Sequence, residues 1–374
     1  LKKGWQKKTF GEVLEIRNGR NQRGVESASG KFPIYGSAGN VMGMATDYIC
    51  EAGTTIIGRK GNINSPIYAE TRFWNVDTAF GLAATAGLDS RFLYFFCLAY
   101  DFSAHNRGTT IPSLVKSELL NIPIAVPPLA EQQRIVGLLD EAFEGLATAK
   151  ASAEKNLQNA RAIFESHLQS VFTQGGKGWV DSTIGAEIKF IDYRGKTPAK
   201  TASGVRLITA KNVKMGFLQD APMEFIAAAS YKGWMTRGIP QKGDVLFTTE
   251  APLANVAQLD TEEKVAFAQR IIIMQPNAAK LDDTFLKYLL LSQPVQQRIR
   301  LKGTGATVQG IKASLLKLIE ISFPKSLAAQ REIVSKFDDL RDETQRLAHI
   351  YEQKLASLEA LKKSLLHQAF SGEL

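Results

Sequence analysis

The sequence predicts an α+β protein built as a pseudo-two-fold tandem repeat, in which two mixed α/β domains are joined by two long helices packed as an antiparallel coiled coil. Three observations predict it: the chain matches itself, two long segments carry heptad periodicity, and the excess positive charge lies outside those segments. A chain of 374 residues has room for two or three domains at roughly 100 to 200 residues each. With 44% hydrophobic and 22% charged residues the composition excludes a mainly disordered or collagen-like chain. No apolar run reaches the roughly 18 residues a bilayer span needs, so no membrane partner and a cytoplasmic location are expected. Cys50 and Cys97 form no C-x-x-C pair, and two thiols cannot build the disulfide framework of a small secreted domain. Both read as reduced packing residues.

The duplication comes first because a missed repeat would misassign the whole fold. Gly4, Trp5, Thr9 and Gly11 recur as Gly178, Trp179, Thr183 and Gly185, a shift of 174. Gly108, Thr110, Ser117, Leu119, Ile122, Ile124 and Pro127 recur as Gly305, Thr307, Ser314, Leu316, Ile319, Ile321 and Pro324, a shift of 197. Residues 132–172 then match 330–370 without a gap. The change of shift from 174 to 197 places 23 extra residues in the middle of the second copy.

Within each copy the first part is rich in Gly, Pro, Thr and aromatics, with short apolar runs at 54–58, 119–126, 244–248 and 319–323 that read as strands bounded by turns. The second part, 130–172 or 327–370, has no proline and little glycine. There Leu139, Ala142 or Phe143, Leu146, Ala149, Ala153, Leu157, Ala160, Ile163 or Phe164 and Val171 recur at steps of three and four. Phe337, Leu340, Leu347, Leu355, Leu358, Leu361 and Leu365 do the same in the second copy. Helices of this length are too long for one small domain to bury, so they are expected to bury each other. Ala142, Ala149 and Ala160 stand at the repeat positions of Leu340, Leu347 and Leu358, and small-against-large complementarity favours this pairing. Each helix packing only on its own domain is the competing reading.

Charge divides along the same lines. Residues 1–129 carry 14 basic and 10 acidic side chains and residues 175–326 carry 21 and 13, whereas 130–174 and 327–374 are slightly acidic. The two globular parts are therefore suited to phosphates and the helices to protein. Candidate DNA ligands combine cations with amides, hydroxyls and glycine, because arginine and amides read base edges while lysine and hydroxyls hold phosphates. In the first copy these are Arg17, Arg20, Asn21 and Arg23, then Arg59, Lys60 and Asn62, then Arg107, Thr109 and Thr110. In the second they are Tyr193, Arg194, Lys196 and Thr197, then Lys211, Asn212 and Lys214, then Thr248 and Thr249, then Arg300, Lys302 and Thr304. Any one cluster also fits a solvated loop. Thr110 and Thr307 equally fit helix caps.

Motifs for covalent chemistry are missing. There is no Gly-x-x-x-x-Gly-Lys loop, no Gly-x-Gly-x-x-Gly turn, no His-Glu-x-x-His site and no Asp-Pro-Pro-Tyr-like loop. His167, His349 and His367 fall on the long helices, which leaves His105, in a loop, as the histidine open to a ligand. No catalytic residue, cofactor site or metal site is expected in this chain. A self-contained adenine methyltransferase with an unrecognised active site is the alternative, and a purely structural helical scaffold is a third reading.

The run Gly108-Thr-Thr-Ile-Pro-Ser113, then Leu119-Leu-Asn-Ile-Pro-Ile124 and Pro127-Pro-Leu-Ala-Glu-Gln-Gln-Arg-Ile-Val136, resembles the junction in specificity subunits of Type I restriction-modification systems. Tyr193-Arg-Gly-Lys-Thr-Pro198 and Gly243-Asp-Val-Leu-Phe-Thr-Thr249 resemble recognition-domain segments of that family. The second junction departs from the pattern, with Ser326-Leu-Ala-Ala-Gln330 in place of the proline and the acid. The resemblance implies target-recognition domains at 1–129 and 175–326 and spacer helices at 130–174 and 327–374. It implies a non-catalytic reader of a bipartite, asymmetric sequence in double-stranded DNA. Its partners would be two DNA-methylation subunits using S-adenosylmethionine and motor-nuclease subunits using ATP and magnesium.

Overall fold

The computed structural model describes residues 2–37, 39–195, 197–268, 270–305 and 309–374. They form two compact units, residues 1–155 with 351–374, and residues 156–350. These limits differ from those read from the sequence. A helix needs something to cover its apolar face, so each unit takes in the stretch of both long helices that packs beside its globular part.

In the first unit the strand Gln6–Thr9 pairs antiparallel with Pro123–Val126, which ties the start of the chain to the segment entering the first long helix. A four-stranded antiparallel sheet follows in the order Leu14–Asn18, Ala79–Ala84, Thr54–Gly58, Ile67–Ala69. A smaller sheet joins Val41–Ala45, Phe32–Tyr35 and Trp74–Asn75, the last pair parallel. The helix Ser90–Ala99 starts where the Asp89 side chain accepts from the backbone N–H of Arg91 and Phe92, both at 2.9 Å, satisfying donors that have no partner inside the helix. It buries Phe92, Leu93, Phe95, Phe96 and Cys97.

The second unit repeats this plan. Trp179–Thr183 pairs with Glu320–Pro324. The four-stranded sheet runs Ile188–Asp192, Ile271–Pro276, Val245–Thr248, Val256–Gln258, and the small sheet Glu224–Ile226, Val205–Ile208, Val265–Phe267. Asp282 caps the helix Asp283–Leu291 as Asp89 caps its counterpart. Most of the extra residues of this copy lie between Val205–Ile208 and Val245–Thr248. A further helix, Gln293–Lys302, replaces the short 3-10 turn Phe102–His105 of the first unit.

The long helices are Leu129–Gln174 and Leu327–Ser371, 46 and 45 residues. Each is locked to its domain by a buried glutamine. Gln132 accepts from the Asp89 N–H at 2.7 Å and donates to the Gly87 and Pro127 carbonyls at 2.9 and 2.8 Å. Gln330 accepts from the Asp282 N–H at 2.8 Å and donates to the Lys280 and Pro324 carbonyls at 2.8 and 2.7 Å. Both side chains are fully buried, so the glutamine of the junction motif is its structural centre.

Within the first unit the helices run antiparallel: Arg134 donates to the Leu374 carbonyl, Lys362 lies over the Phe143 ring at 5.1 Å, and Lys150 pairs with Glu359 at 3.0 Å. Within the second, Phe337 packs on Phe164, His167, Phe172 and Tyr288. Leu139, Ala153 and Ala160 are buried as expected, with Leu168 added. Of Ile163 or Phe164 the seam takes Phe164, which packs on Phe337 while Ile163 is exposed. One seam assignment is corrected: Leu361 is exposed, because the 3/4 alternation places Lys362 on the covered face with its amine over the Phe143 ring.

The strand expected at 119–126 is also corrected. Lys116–Leu119 is a helical turn and only Pro123–Val126 is extended, since the turn delivers Leu119 and Ile122 to the core. The strand Thr54–Gly58 falls where it was predicted.

Candidate nucleic-acid interface

Strand order determines where the polar loops meet. In the first unit Asn18 ends one strand, Gly58 ends another, and both lie beside the start of Ala79–Ala84, with Asn18 opposite Phe80 and Gly58 opposite Ala79. The connections after Asn18, after Gly58 and before Ala79 therefore leave the sheet at one end. Backbone bonds hold them together: Arg20 N–H to the Asn75 carbonyl at 2.9 Å, and Arg59 and Lys60 N–H to the Thr78 carbonyl at 2.8 and 3.1 Å. A β-carbon on Gly19 would lie 1.8 Å from the Val76 carbonyl oxygen, so only glycine permits this approach.

The loop carrying Arg107, Thr109 and Thr110 docks onto the same end. Gly61 N–H bonds the Pro112 carbonyl and Leu114 N–H the Arg59 carbonyl, both at 2.8 Å. Asn106 closes the loop by accepting from the N–H groups of Gly108 and Ser113 at 2.8 Å. Thr110 is exposed in this bend and caps no helix, because the next helix begins only at Lys116. Three clusters spread over some ninety residues of sequence are thus brought together.

Their side chains divide by role. Arg20, Asn21, Arg23, Lys60, Asn62, Thr109 and Thr110 are exposed, and among the described residues no ion pair holds Arg20, Arg23 or Lys60. Asp77 adds one exposed carboxylate nearby. Arg59 is half-buried, donating to the Asp77 carbonyl at 3.3 Å. Arg107 is paired with Glu118 at 2.7 Å, which holds the Glu118 carboxyl below its ordinary range. Arg17 is half-buried and bonded to the Ile49 carbonyl and to Glu15 at 3.0 and 3.1 Å. His105 stacks on Tyr100 and bonds its hydroxyl at 2.7 Å, so it is a packing residue.

In the second unit Asp192 and Thr248 end their strands beside the start of Ile271–Pro276. Thr249 N–H bonds the Arg270 carbonyl and Ile311 N–H the Thr249 carbonyl, both at 2.9 Å, repeating the bonds of Arg59 and Leu114 in the first unit. Four candidates here are corrected because they are buried. Tyr193 sits in the core, its hydroxyl donating to the Gly238 carbonyl and accepting from Arg237 N–H. Asn212 donates to the carbonyls of Gln219, Asp220 and Pro222 and accepts from Thr209. Thr248 donates to the Pro252 carbonyl at 2.6 Å, and Thr249 to the Arg270 carbonyl at 3.4 Å. Their hydroxyls and amide shape the loops from inside.

Arg194 is committed to Asp192 at 2.6 Å. Burial would raise the Asp192 carboxyl, but Arg194 and Arg237 hold it below its usual value. Thr197, Lys211, Arg300, Lys302 and Thr304 are exposed and Lys214 is half-exposed, and Thr304 exchanges backbone bonds with Gly310 at 2.8 and 2.9 Å. Lys196 and Thr307 lie outside the described residues. Composition alone did not single out Arg237 and Arg270, each isolated in sequence from the cluster it joins, nor Glu250, which follows Thr249 directly but is an acid and not a cation, amide or hydroxyl. Cys50 and Cys97 are buried, and burial pushes both thiols up, Cys50 to about 12. Among the described residues no helix is long and apolar enough to cross a membrane, and no cluster of His, Cys, Asp and Glu is arranged to hold a metal.

Residues 2–156 and 204–357 match the family described as Type I restriction modification DNA specificity domain. The chain is 25% identical over 380 residues to a putative type I restriction enzyme specificity subunit of Haemophilus influenzae, covering 96% of this chain and 94% of that protein. It is 22% identical over 348 residues to the type I restriction enzyme MjaVIII specificity subunit of Methanocaldococcus jannaschii, covering 86% and 76%. The fold is similar to a chain from a structural study of complex assembly and conformational transition of the type I R-M system, with a TM-score of 0.79, 19% identity and 100% and 99% of the two chains covered. It is also similar to the HsdS subunit of Thermoanaerobacter tengcongensis, with a TM-score of 0.63, 19% identity and 100% and 98% covered. Two matches to one family domain on a duplicated chain, each ending its sheet in a cluster of polar loops, lead to one conclusion: this chain belongs to the specificity subunits of Type I restriction-modification systems, which recognise the DNA target.

Proposed function

We propose that each unit reads one half of a bipartite, asymmetric sequence in double-stranded DNA through the loops at the end of its four-stranded sheet. The observation that carries this reading is the convergence of Arg20, Arg23 and Lys60, exposed and without ion pairs among the described residues, with the docked Thr109–Thr110 loop. Unpaired cations release counterions on meeting phosphates, while the exposed Asn21 and Asn62, whose side-chain oxygens are held by the Arg23 N–H and the Ser65 hydroxyl, and the exposed Thr109 and Thr110 stand beside them for base edges. The chain itself is the non-catalytic member of its complex. Its partners are two DNA-methylation subunits and the motor-nuclease subunits, and S-adenosylmethionine, ATP and magnesium act on those partners. Both long helices, shared by the two units, are suited to set the number of unread base pairs between the half-sites.

Duplex binding by the chain assembled with its methylation subunits tests this reading. Replacing Arg20, Arg23 and Lys60 by alanine should weaken binding to all sequences and lower the slope of log K against log salt by about 2 to 3. Exchanging residues 175–326 for those of a relative should change one half-site only. An unchanged target after that exchange refutes the bipartite reading, and methyl transfer by the purified chain alone refutes the non-catalytic one.

A further inference from the structure

The two units carry opposite charge at the same place. Lys60 and Glu250 each stand two residues beyond the end of the equivalent strand, and each forms the bridge to the docked loop, Lys60 to Ser113 and Glu250 to Gly310. Thr78 and Arg270 face them, as the equivalent bonds from Arg59 and Thr249 N–H to their carbonyls show. The first unit thus has a lysine and a threonine on these two positions, and the second a carboxylate beside a guanidinium. Arg270 Nε stands 3.1 Å from Glu250 Oε1, and the two side chains are 45% and 47% exposed.

The backbone around this pair is strained. Among the described residues the non-glycine positions with positive φ are Ala251 at 46°, Ala254 at 68° and Arg270 at 79°, on the loop that carries Glu250 and on the turn opposite. An exposed ion pair stabilises a fold little, and glycine would take the conformation at 270 without strain. The use of an arginine there lies in where its guanidinium is held. With Nε turned to Glu250, no hydrogen bond among the described residues engages either terminal nitrogen, and both are available to a further partner.

We propose that Glu250 and Arg270 together read one C·G base pair in the half-site of the second unit. In the major groove cytosine offers its N4 amino donor beside the O6 and N7 acceptors of guanine. A carboxylate beside a guanidinium presents the complementary pattern, and their mutual contact orients both before binding. Glu250 accepts from N4 and Arg270 donates to O6 and N7. The first unit, with Lys60 and Thr78, has no carboxylate on these two positions and lacks this readout. The inference rests on the reading of the second unit as a half-site reader.

The test is selection of bound sequences from a random duplex library by the full chain assembled with its methylation subunits, for the parent and for E250Q, R270G and R270K. The parent should require C·G at one position of the half-site that exchange of 175–326 alters. Each variant should lose that preference by about ten- to a hundred-fold, at that position alone. R270G should melt no lower than the parent, because it relaxes the backbone. Unchanged preference in E250Q and R270G overturns the proposal, as does a change confined to the other half-site, and a lower melting temperature for R270G makes Arg270 a structural residue and overturns its part. A parent complex with no sequence preference at all overturns the broader reading along with it.

Discussion

Gln132 and Gln330 make the same three hydrogen bonds to within 0.1 Å, whereas Lys60 and Glu250, equally matched in backbone position, carry opposite charge. The difference separates what duplication must keep from what it is free to vary. A buried glutamine with both its donor and its acceptor committed cannot change without leaving a backbone N–H and two carbonyls unpaired. A loop residue facing water contributes little to stability, so its chemistry answers to the ligand. The departures at the second junction are consistent with this. Ser326 replaces Pro128 on an exposed position and Ala329 replaces Glu131 on a half-buried one, and the buried bonds persist.

The largest expected effect breaks the equality of the junctions. Gln132→Ala and Gln330→Ala should each destabilise the chain by about 3 kcal/mol or more, the cost of several unsatisfied buried groups, as read by urea unfolding. A cost confined to one of them would show that the junctions are not equivalent. Next comes Lys287, 6% exposed in the helix where the first unit has Tyr94. Burial pushes its ammonium down from the ordinary value, and Arg341 adds repulsion. Lys287→Met should therefore stabilise the chain by about 1 kcal/mol at neutral pH. Because the penalty belongs to the charged form, the gain should shrink as pH rises through the lowered lysine pKa toward the unfolded value, which thermal melts across alkaline pH would reveal.

The smallest effect sharpens the contrast between Glu131 and Ala329. Hydrogen bonding to Arg134, helped by Lys2, holds the Glu131 carboxyl down to about 2. Its contribution is complete above the ordinary carboxylate value and is lost as pH falls from there toward 2. Glu131→Gln should flatten the acid limb of the stability profile in that window and leave stability at high salt nearly unchanged. A parent and variant with parallel acid limbs would remove Glu131 from the junction.

How much was legible follows from the range of the forces involved. Heptad spacing marked both long helices, and the apolar run 54–58 marked its strand, because period and composition are local. Leu361 was misplaced because a short periodic window tolerates either of two adjacent residues until the partner face chooses. Thr248, Thr249, Tyr193 and Asn212 have the composition of a binding loop, yet their polar atoms are used to satisfy buried backbone. Residue type alone does not distinguish a hydroxyl aimed inward from one aimed at water.

By itself, then, the order of residues determined the duplication, the two long helices and the placement of positive charge in the globular parts, all of which are patterns readable along one dimension. The tertiary structure decided which of the polar clusters meet, since antiparallel strand order carries Arg20, Arg59, Lys60 and Thr110 to one end of a sheet. It also decided that Arg270 belongs opposite Glu250. That pairing depends on hydrogen bonds between distant strands and on a left-handed backbone conformation, neither of which leaves a local trace in the chain.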